Sequence, residues 1–148
     1  MTKRMPRDEY YMGIAIAAAQ RSTCPRAKVG AVIVTAHDDI VGVGFNGAPI
    51  GKPHCTEVGC HVEDDHCLRT VHAELNALIR AGRLARGATI YTTCFPCRVC
   101  AQLIINAHIK RAVYAEDYHG QGLQDFGIHY LKTAGITVQK LGGKVWTK

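Results

Sequence analysis

The 148-residue chain has no run of 18 apolar residues, which excludes an ordinary membrane-spanning helix. It also lacks a leader-like start. Lys3 and Arg4 lead into Asp8 and Glu9 where a secretory signal would turn apolar, so the expected compartment is the cytoplasm. Acid is scarce, with 12 Asp and Glu against 18 Lys and Arg, a formal charge of +6 and a pI near 9.0. That balance suits an anionic substrate but does not separate a nucleotide from RNA. The chain is too short for two ordinary domains and long enough to bury a core, so one domain over residues 1–148 is expected. Seven cysteines would mean disulfides in a secreted miniprotein, but here they accompany eight histidines and cluster at ligand-like spacings, which suits reduced thiolates on a metal.

The most informative cluster is His72-Ala73-Glu74 followed, after 21 residues, by Pro96-Cys97-Arg98-Val99-Cys100. One imidazole and two thiolates are the three protein ligands of a catalytic zinc whose fourth tetrahedral position is kept for water. Glu74 then stands beside the metal without binding it. A cytosine or adenine ring resists hydrolysis because water is a poor nucleophile and the amino group a poor leaving group. Zinc lowers the pKa of bound water, and a mobile carboxylate carries protons to the ring nitrogen and the departing ammonia. His-x-Glu with Pro-Cys-x-x-Cys is the known signature of zinc-dependent nucleobase deaminases. The same spacing admits a structural zinc site completed by a fourth ligand, or a redox pair. The redox use leaves His72 and Glu74 idle, and structural sites rarely set a carboxylate beside the metal.

Periodicity places these residues. A helix is expected from Asp8, read as its cap, with Tyr11, Ile14, Ala15, Ala18 and Ala19 on one face, ending by Pro25. Residues 29–35 and 40–45 read as a hairpin turning at 36–39, and Asn46-Gly47-Ala48-Pro49 stops its second strand. Residues 48–70 read as an irregular insert, too long to go unstapled in a compact domain. A helix over 71–81 would bury Leu75, Leu78 and Ile79 and stop at Gly82. Then follow a strand at 89–92, a helix opened by Pro96 and running to about 106, a strand at 111–115, a helix at 124–134 and a strand at 136–141. The order αββαβαβαβ implies an α/β fold, three layers with a mixed five-stranded sheet between helices. Two helix starts would present the ligands at one sheet edge, where the helix dipole favours thiolate.

With those residues in hand, the chain resembles the cytidine deaminase-like superfamily and, within it, the deoxycytidylate (dCMP) deaminases. The resemblance runs from Arg21-Ser22-Thr23-Cys24-Pro25-Arg26 and Lys28-Val29-Gly30-Ala31, through Gly44-Phe45-Asn46-Gly47-Ala48-Pro49 and the zinc motif, to Tyr114-Ala115-Glu116-Asp117-Tyr118. It implies the cytidine deaminase-like fold and hydrolysis of dCMP to dUMP and ammonia for thymidylate synthesis. It also implies catalytic zinc on His72, Cys97 and Cys100, Glu74 as proton shuttle, and backbone around Ala73 and Cys94 facing the pyrimidine. Asn46 would reach the sugar, and Tyr118 would flank base or ribose. Turn chemistry with Gly47 is the other use of Asn46, and a half-buried core position that of Tyr118. Many relatives are hexamers activated by dCTP, with magnesium, and inhibited by dTTP. Arg26, Lys28, Asn46 and Gly47 are the implied effector or phosphate residues, with a solvated basic loop as the alternative for Arg26 and support of the strand start for Lys28.

Cys24, Cys55, Cys60 and Cys67, with His54, His61 and His66 nearby, look like a second, structural zinc site fixing an insert with too little apolar content to fold alone. Some phage and bacterial relatives carry such a zinc. The expected set is Cys24, Cys55, Cys60 and Cys67, with His54 or His66 as the replacement ligand, and a reduced metal-free loop is the alternative. A tRNA adenosine deaminase shares the zinc motif, but the insert and the segment 141–148, read as lacking a basic C-terminal helix, stand against it, so nucleic acid is not the expected partner. A zinc-stabilised binding module would have no need of Glu74.

Overall fold

A computed structural model describes residues 2–118 and 123–142 of the chain. The strand with the least polar sequence, β1 (Gly30–Val34), is buried along its whole length at the interior of the main sheet. It pairs antiparallel with β2 (Ile40–Phe45) on one side and with β5 (Thr89–Cys94) on the other. β6 (Arg111–Glu116) and β7 (Thr137–Lys140) extend the sheet in parallel, giving the order β2-β1-β5-β6-β7. This is the expected mixed five-stranded sheet.

Alternation along the strands divides the core into two. Val32, Val34, Tyr91 and Val113 face α1 (Arg7–Ala19), meeting Tyr11, Met12 and Ala15. Ala31, Ile33, Ile90, Ala112 and Tyr114 face the opposite layer of α3 (Ala73–Ala81), α4 (Arg98–Asn106) and α5 (Leu123–Thr133). Among the described residues no helix is long and apolar enough to cross a membrane.

Several local expectations are corrected. Asp8 does not cap α1; the helix begins at Arg7 after Pro6, and the Asp8 carboxylate is drawn away to Arg111 and Tyr91. Ile79 is not on the buried side of α3 but 69% exposed. The buried face is Ala73, Glu74, Ala77, Leu78 and Ala81, and its alanines stand against the glycines of β2, where α3 lies too close for larger side chains. A Cβ on Gly44 would stand 2.1 Å from the Ala73 carbonyl oxygen, and one on Gly42 2.3 Å from that of Ala77. The insert is not wholly irregular. It holds α2 (Cys55–Val58) and a hairpin of β3 (Val62–Glu63) with β4 (His66–Cys67). Asp64 and Asp65 take positive φ at its two-residue turn, a conformation that Asp tolerates better than most residues. From residue 143 on, the C-terminal segment lies outside the described residues.

Candidate metal centre

His72 and Cys97 each occupy the N-cap of a helix, His72 before α3 and Cys97 before α4. Both helices therefore start two residues later than the sequence pattern suggests. Val71 pairs with Gly47 in a short bridge, which keeps the chain extended up to His72. Cys97 Sγ accepts from the Cys100 amide at 3.4 Å, as a capping side chain does. α3 and α4 thus bring the same end, their positive N-termini, to one point beside the end of β5.

The ligand atoms meet there. His72 Nδ1 lies 3.5 Å from Cys97 Sγ and 3.4 Å from Cys100 Sγ. A zinc tetrahedron with Zn–N of about 2.05 Å and Zn–S of about 2.3 Å has an N to S edge of about 3.6 Å, so the donors fit that metal in type and spacing. The two thiols answer to each other. Hydrogen bonding with Cys100 and His72 pulls Cys97 down to about 4, while Cys97 and burial push Cys100 up. The thiolate beside it holds the His72 imidazole above its ordinary value.

Glu74 lies in the first turn of α3, 4% exposed, and does not join the three-ligand group. Burial pushes its carboxyl up to about 7, against the opposing pull of its own backbone amide and His72. A carboxyl poised there can hold a proton or release it near neutral pH.

The other expected site residues lie around this centre. Ala73 is fully buried as the first residue of α3. Cys94 ends β5; burial and the Glu74 charge push its thiol up to about 11, and its Sγ rests 3.8 Å from the Asp117 carbonyl oxygen. Tyr118 is half-buried against the core. Burial first, and then the charges of Cys97 and Cys94, raise its phenol. Asn46 is 6% exposed and its carboxamide spans the preceding loop, Oδ1 accepting from the Val29 amide at 2.9 Å and Nδ2 donating to the Ala27 carbonyl at 2.7 Å.

The four effector candidates have different surroundings. Arg26 pairs with Asp65 of the insert at 2.7 Å. Gly47 pairs with Val71. Lys28 lines a cavity of about 420 Å³ on the α1 side, with Gln20, Cys94, Glu116 and Lys140, which neither Arg26, Asn46 nor Gly47 lines.

The second cysteine cluster forms. The sulfurs of Cys24, Cys55, Cys60 and Cys67 all lie within 4.8 Å of one another, with Cys24 to Cys60 at 3.8 Å and Cys55 to Cys67 at 3.5 Å. A tetrahedral zinc tetrathiolate has S to S edges of about 3.8 Å, so this donor set also fits. His54 and His66 stand outside the group. Burial and the Cys67 thiol push Cys55 up to about 12; although burial opposes it, amide and thiol donors draw Cys67 down to about 6.

Two residues near the centre escape a reading of the sequence. Gln124 binds both Asp117 and Tyr118, and Lys140 binds Asp117 from β7. Neither belongs to a motif, and only the parallel placement of β6 and β7 brings them together.

Residues 5–116 match the family model of the cytidine and deoxycytidylate deaminase zinc-binding region. ComE operon protein 2 of Bacillus subtilis (strain 168) is 41% identical over 142 residues, covering 94% of this chain and 73% of its own. The deoxycytidylate deaminase of Mycobacterium phage D29 is 42% identical over 123 residues, 74% of this chain and 94% of its own. Among solved structures, the dCMP deaminase of cyanophage S-TIM5 in complex with dCMP and dUMP superposes with a TM-score of 0.77 at 32% identity, over 93% of this chain and 100% of that one.

Proposed function

The chain belongs to the cytidine and deoxycytidylate deaminase family, and from that premise we propose that it hydrolyses dCMP to dUMP and ammonia. The observation that carries the reading is the convergence of His72 Nδ1, Cys97 Sγ and Cys100 Sγ at tetrahedral spacing beside a buried carboxyl. His72, Cys97 and Cys100 would hold zinc, which would lower the pKa of a bound water so that hydroxide is available near neutral pH. Glu74 would accept a proton from the attacking water and deliver it to the ring nitrogen next to the attacked carbon, then take the second proton from the resulting hydroxyl and pass it to the amino group, which leaves as ammonia. Burial keeps that carboxyl able to do both. Ala73 and Cys94 border the pyrimidine, Asn46 fixes the loop beside the sugar, and Tyr118 covers one side.

The four-thiol cluster holds a second, structural zinc that staples residues 48–70 to the loop before β1. The enzyme works in the cytoplasm as a homo-oligomer, a hexamer by analogy, supplying dUMP for thymidylate synthesis. dCTP with magnesium activates it and dTTP inhibits it, through Arg26, Lys28, Asn46 and Gly47.

Ammonia release by zinc-loaded protein tests the reading, with dCMP run beside CMP, deoxycytidine and a tRNA anticodon stem-loop, each with and without dCTP and magnesium. Turnover of dCMP that rises with dCTP supports both substrate and regulation; turnover of the RNA alone, or of nothing, overturns the reading. In the same assay Glu74→Gln is expected to keep its zinc and lose at least about 100-fold in turnover. Undiminished turnover in that variant would show that Glu74 is not the proton shuttle, whereas no turnover by the parent would favour a binding module.

A further inference from the structure

β6 ends at Glu116, and the chain continues past the metal centre as Asp117 and Tyr118. Among the described residues, three elements hold this exit. From β5 and its continuation, the Phe95 amide donates to the Glu116 carbonyl at 2.8 Å and Cys94 Sγ touches the Asp117 carbonyl oxygen. From β7, Lys140 Nζ sits 2.6 Å from Asp117 Oδ2. From the first turn of α5, Gln124 uses both ends of its carboxamide: Oε1 accepts from the Tyr118 amide at 2.5 Å and Nε2 donates to Asp117 Oδ1 at 2.8 Å.

Gln124 is itself held by how α5 is seated. A Cβ on Gly127 would meet the Phe95 ring at 2.7 Å, so α5 rests on that ring through a bare backbone. Phe95 is 2% exposed and packs edge-on against Tyr114 at 4.9 Å, which leaves it little room to yield. Gln124 and Gly127 are three residues apart and so share one side of the helix. The contact that brings α5 onto Phe95, two residues before the ligand Cys97, also turns the Gln124 carboxamide toward Tyr118.

We propose that Gln124 is a positioning residue for substrate binding, holding the Asp117-Tyr118 exit of β6 so that Tyr118 forms a fixed wall of the cleft beside His72, Cys97 and Cys100. This role rests on the deaminase reading above. A carboxamide is required because one end must accept and the other donate. Gln124→Met removes both bonds at similar volume. Gln124→Glu keeps the acceptor for the Tyr118 amide but turns a carboxylate oxygen toward Asp117.

The test is steady-state deamination of dCMP by the parent and by the Gln124→Met, Gln124→Glu and Lys140→Met variants, with zinc content, melting temperature and amide exchange at Tyr118 measured alongside. Gln124→Met is expected to raise KM roughly tenfold with little change in kcat, because a lost wall weakens substrate and transition state alike. Its zinc content is expected to match the parent and its Tyr118 amide to exchange faster. Gln124→Glu raises KM at least as much while the Tyr118 amide stays protected. Lys140→Met, which removes the ion pair that Lys140 makes with Asp117, moves KM in the same direction and carries the test if a Gln124 variant fails to fold. An active parent with unchanged KM in the variants overturns the role, as does a loss confined to kcat. A parent that does not deaminate dCMP overturns the deaminase reading and this role with it, whereas unaltered Tyr118 exchange in Gln124→Met overturns the role alone.

Discussion

Asp8 ties α1 to the sheet with one carboxylate. Arg111 donates to it from Nη1 and Nη2 at 2.8 and 2.6 Å, and the Tyr91 hydroxyl donates at 2.8 Å. The Asp8 and Arg111 side chains are only 23% and 27% exposed. Arg111 holds the Asp8 carboxyl below its usual range, although burial works against it. A carboxylate depressed in the folded state stabilises the fold above its unfolded pKa, and that contribution is lost as pH falls through the folded value. Asp8→Asn is therefore expected to cost about 1.5–3 kcal/mol near neutral pH. In urea titrations the gap to the parent should narrow below roughly pH 4; a gap that stays constant on acidification would rule the charge out as its source. Residues such as Asp8 show where a linear reading ends. Its position just ahead of an apolar-periodic run reads as a helix cap, but its partner Arg111 is 103 residues away. His72, Glu74, Cys97 and Cys100 are legible because the chemistry needs those residue types at short spacings. Asn46 is legible as important, while its use in bonding Ala27 and Val29 emerges only from the fold.

At the level of elements, the catalytic helix is located by glycine. α3 presents Ala73, Ala77 and Ala81 in steps of four to β2, where Gly42 and Gly44 leave room for its backbone. Gly44→Ala would place a methyl 2.1 Å from a helix carbonyl, which neither backbone can accept without moving. A loss of roughly 1–3 kcal/mol is expected from such overpacking. Since His72, a candidate zinc ligand, caps α3, Gly44→Ala should also surrender zinc to a chelator faster than the parent. Ile79→Ala, on the exposed side of the same helix, is the control and should do neither. Full zinc retention in Gly44→Ala would mean that helix seating does not govern the metal site. Helices and strands were readable here from periodicity, and Leu78 is buried as expected, but Leu75 is only half-buried and Ile79 exposed. Hydrophobicity ranks Leu75 and Ile79 above alanine, whereas the packing distance selects the smallest side chains.

Over the whole molecule, two donor sets on different parts of the chain divide the metal chemistry. One combines an imidazole with two thiols beside a carboxyl; the other is four thiols with no carboxylate in the group. The second draws Cys24 from the loop before β1 to an insert whose own sheet is a pair of two-residue strands. The Arg26–Asp65 pair, exposed and worth little by itself, ties the same two segments. Cys60→Ser is expected to lower zinc from two ions per chain to one and to speed amide exchange across residues 48–70, with His72, Cys97 and Cys100 still loaded. Two ions retained in that variant would show the four-thiol set to be wrong. The clustered cysteines and histidines were enough to expect a second metal, because an insert with little apolar surface needs another source of stability.

The sequence by itself determined the family chemistry of this protein, since the candidate ligand types, the carboxyl two residues after His72 and the two-residue gap between Cys97 and Cys100 are local properties that survive without any knowledge of packing. It also determined the alternation of elements, because apolar period reports which face each one buries. Only the tertiary structure decided which four of the remaining ligand candidates meet, that alanines rather than Ile79 seat the catalytic helix, and that Gln124 and Lys140 secure Asp117 and Tyr118. Those outcomes depend on close approach and burial between residues far apart in the chain, and neither quantity is written in the spacing of neighbours.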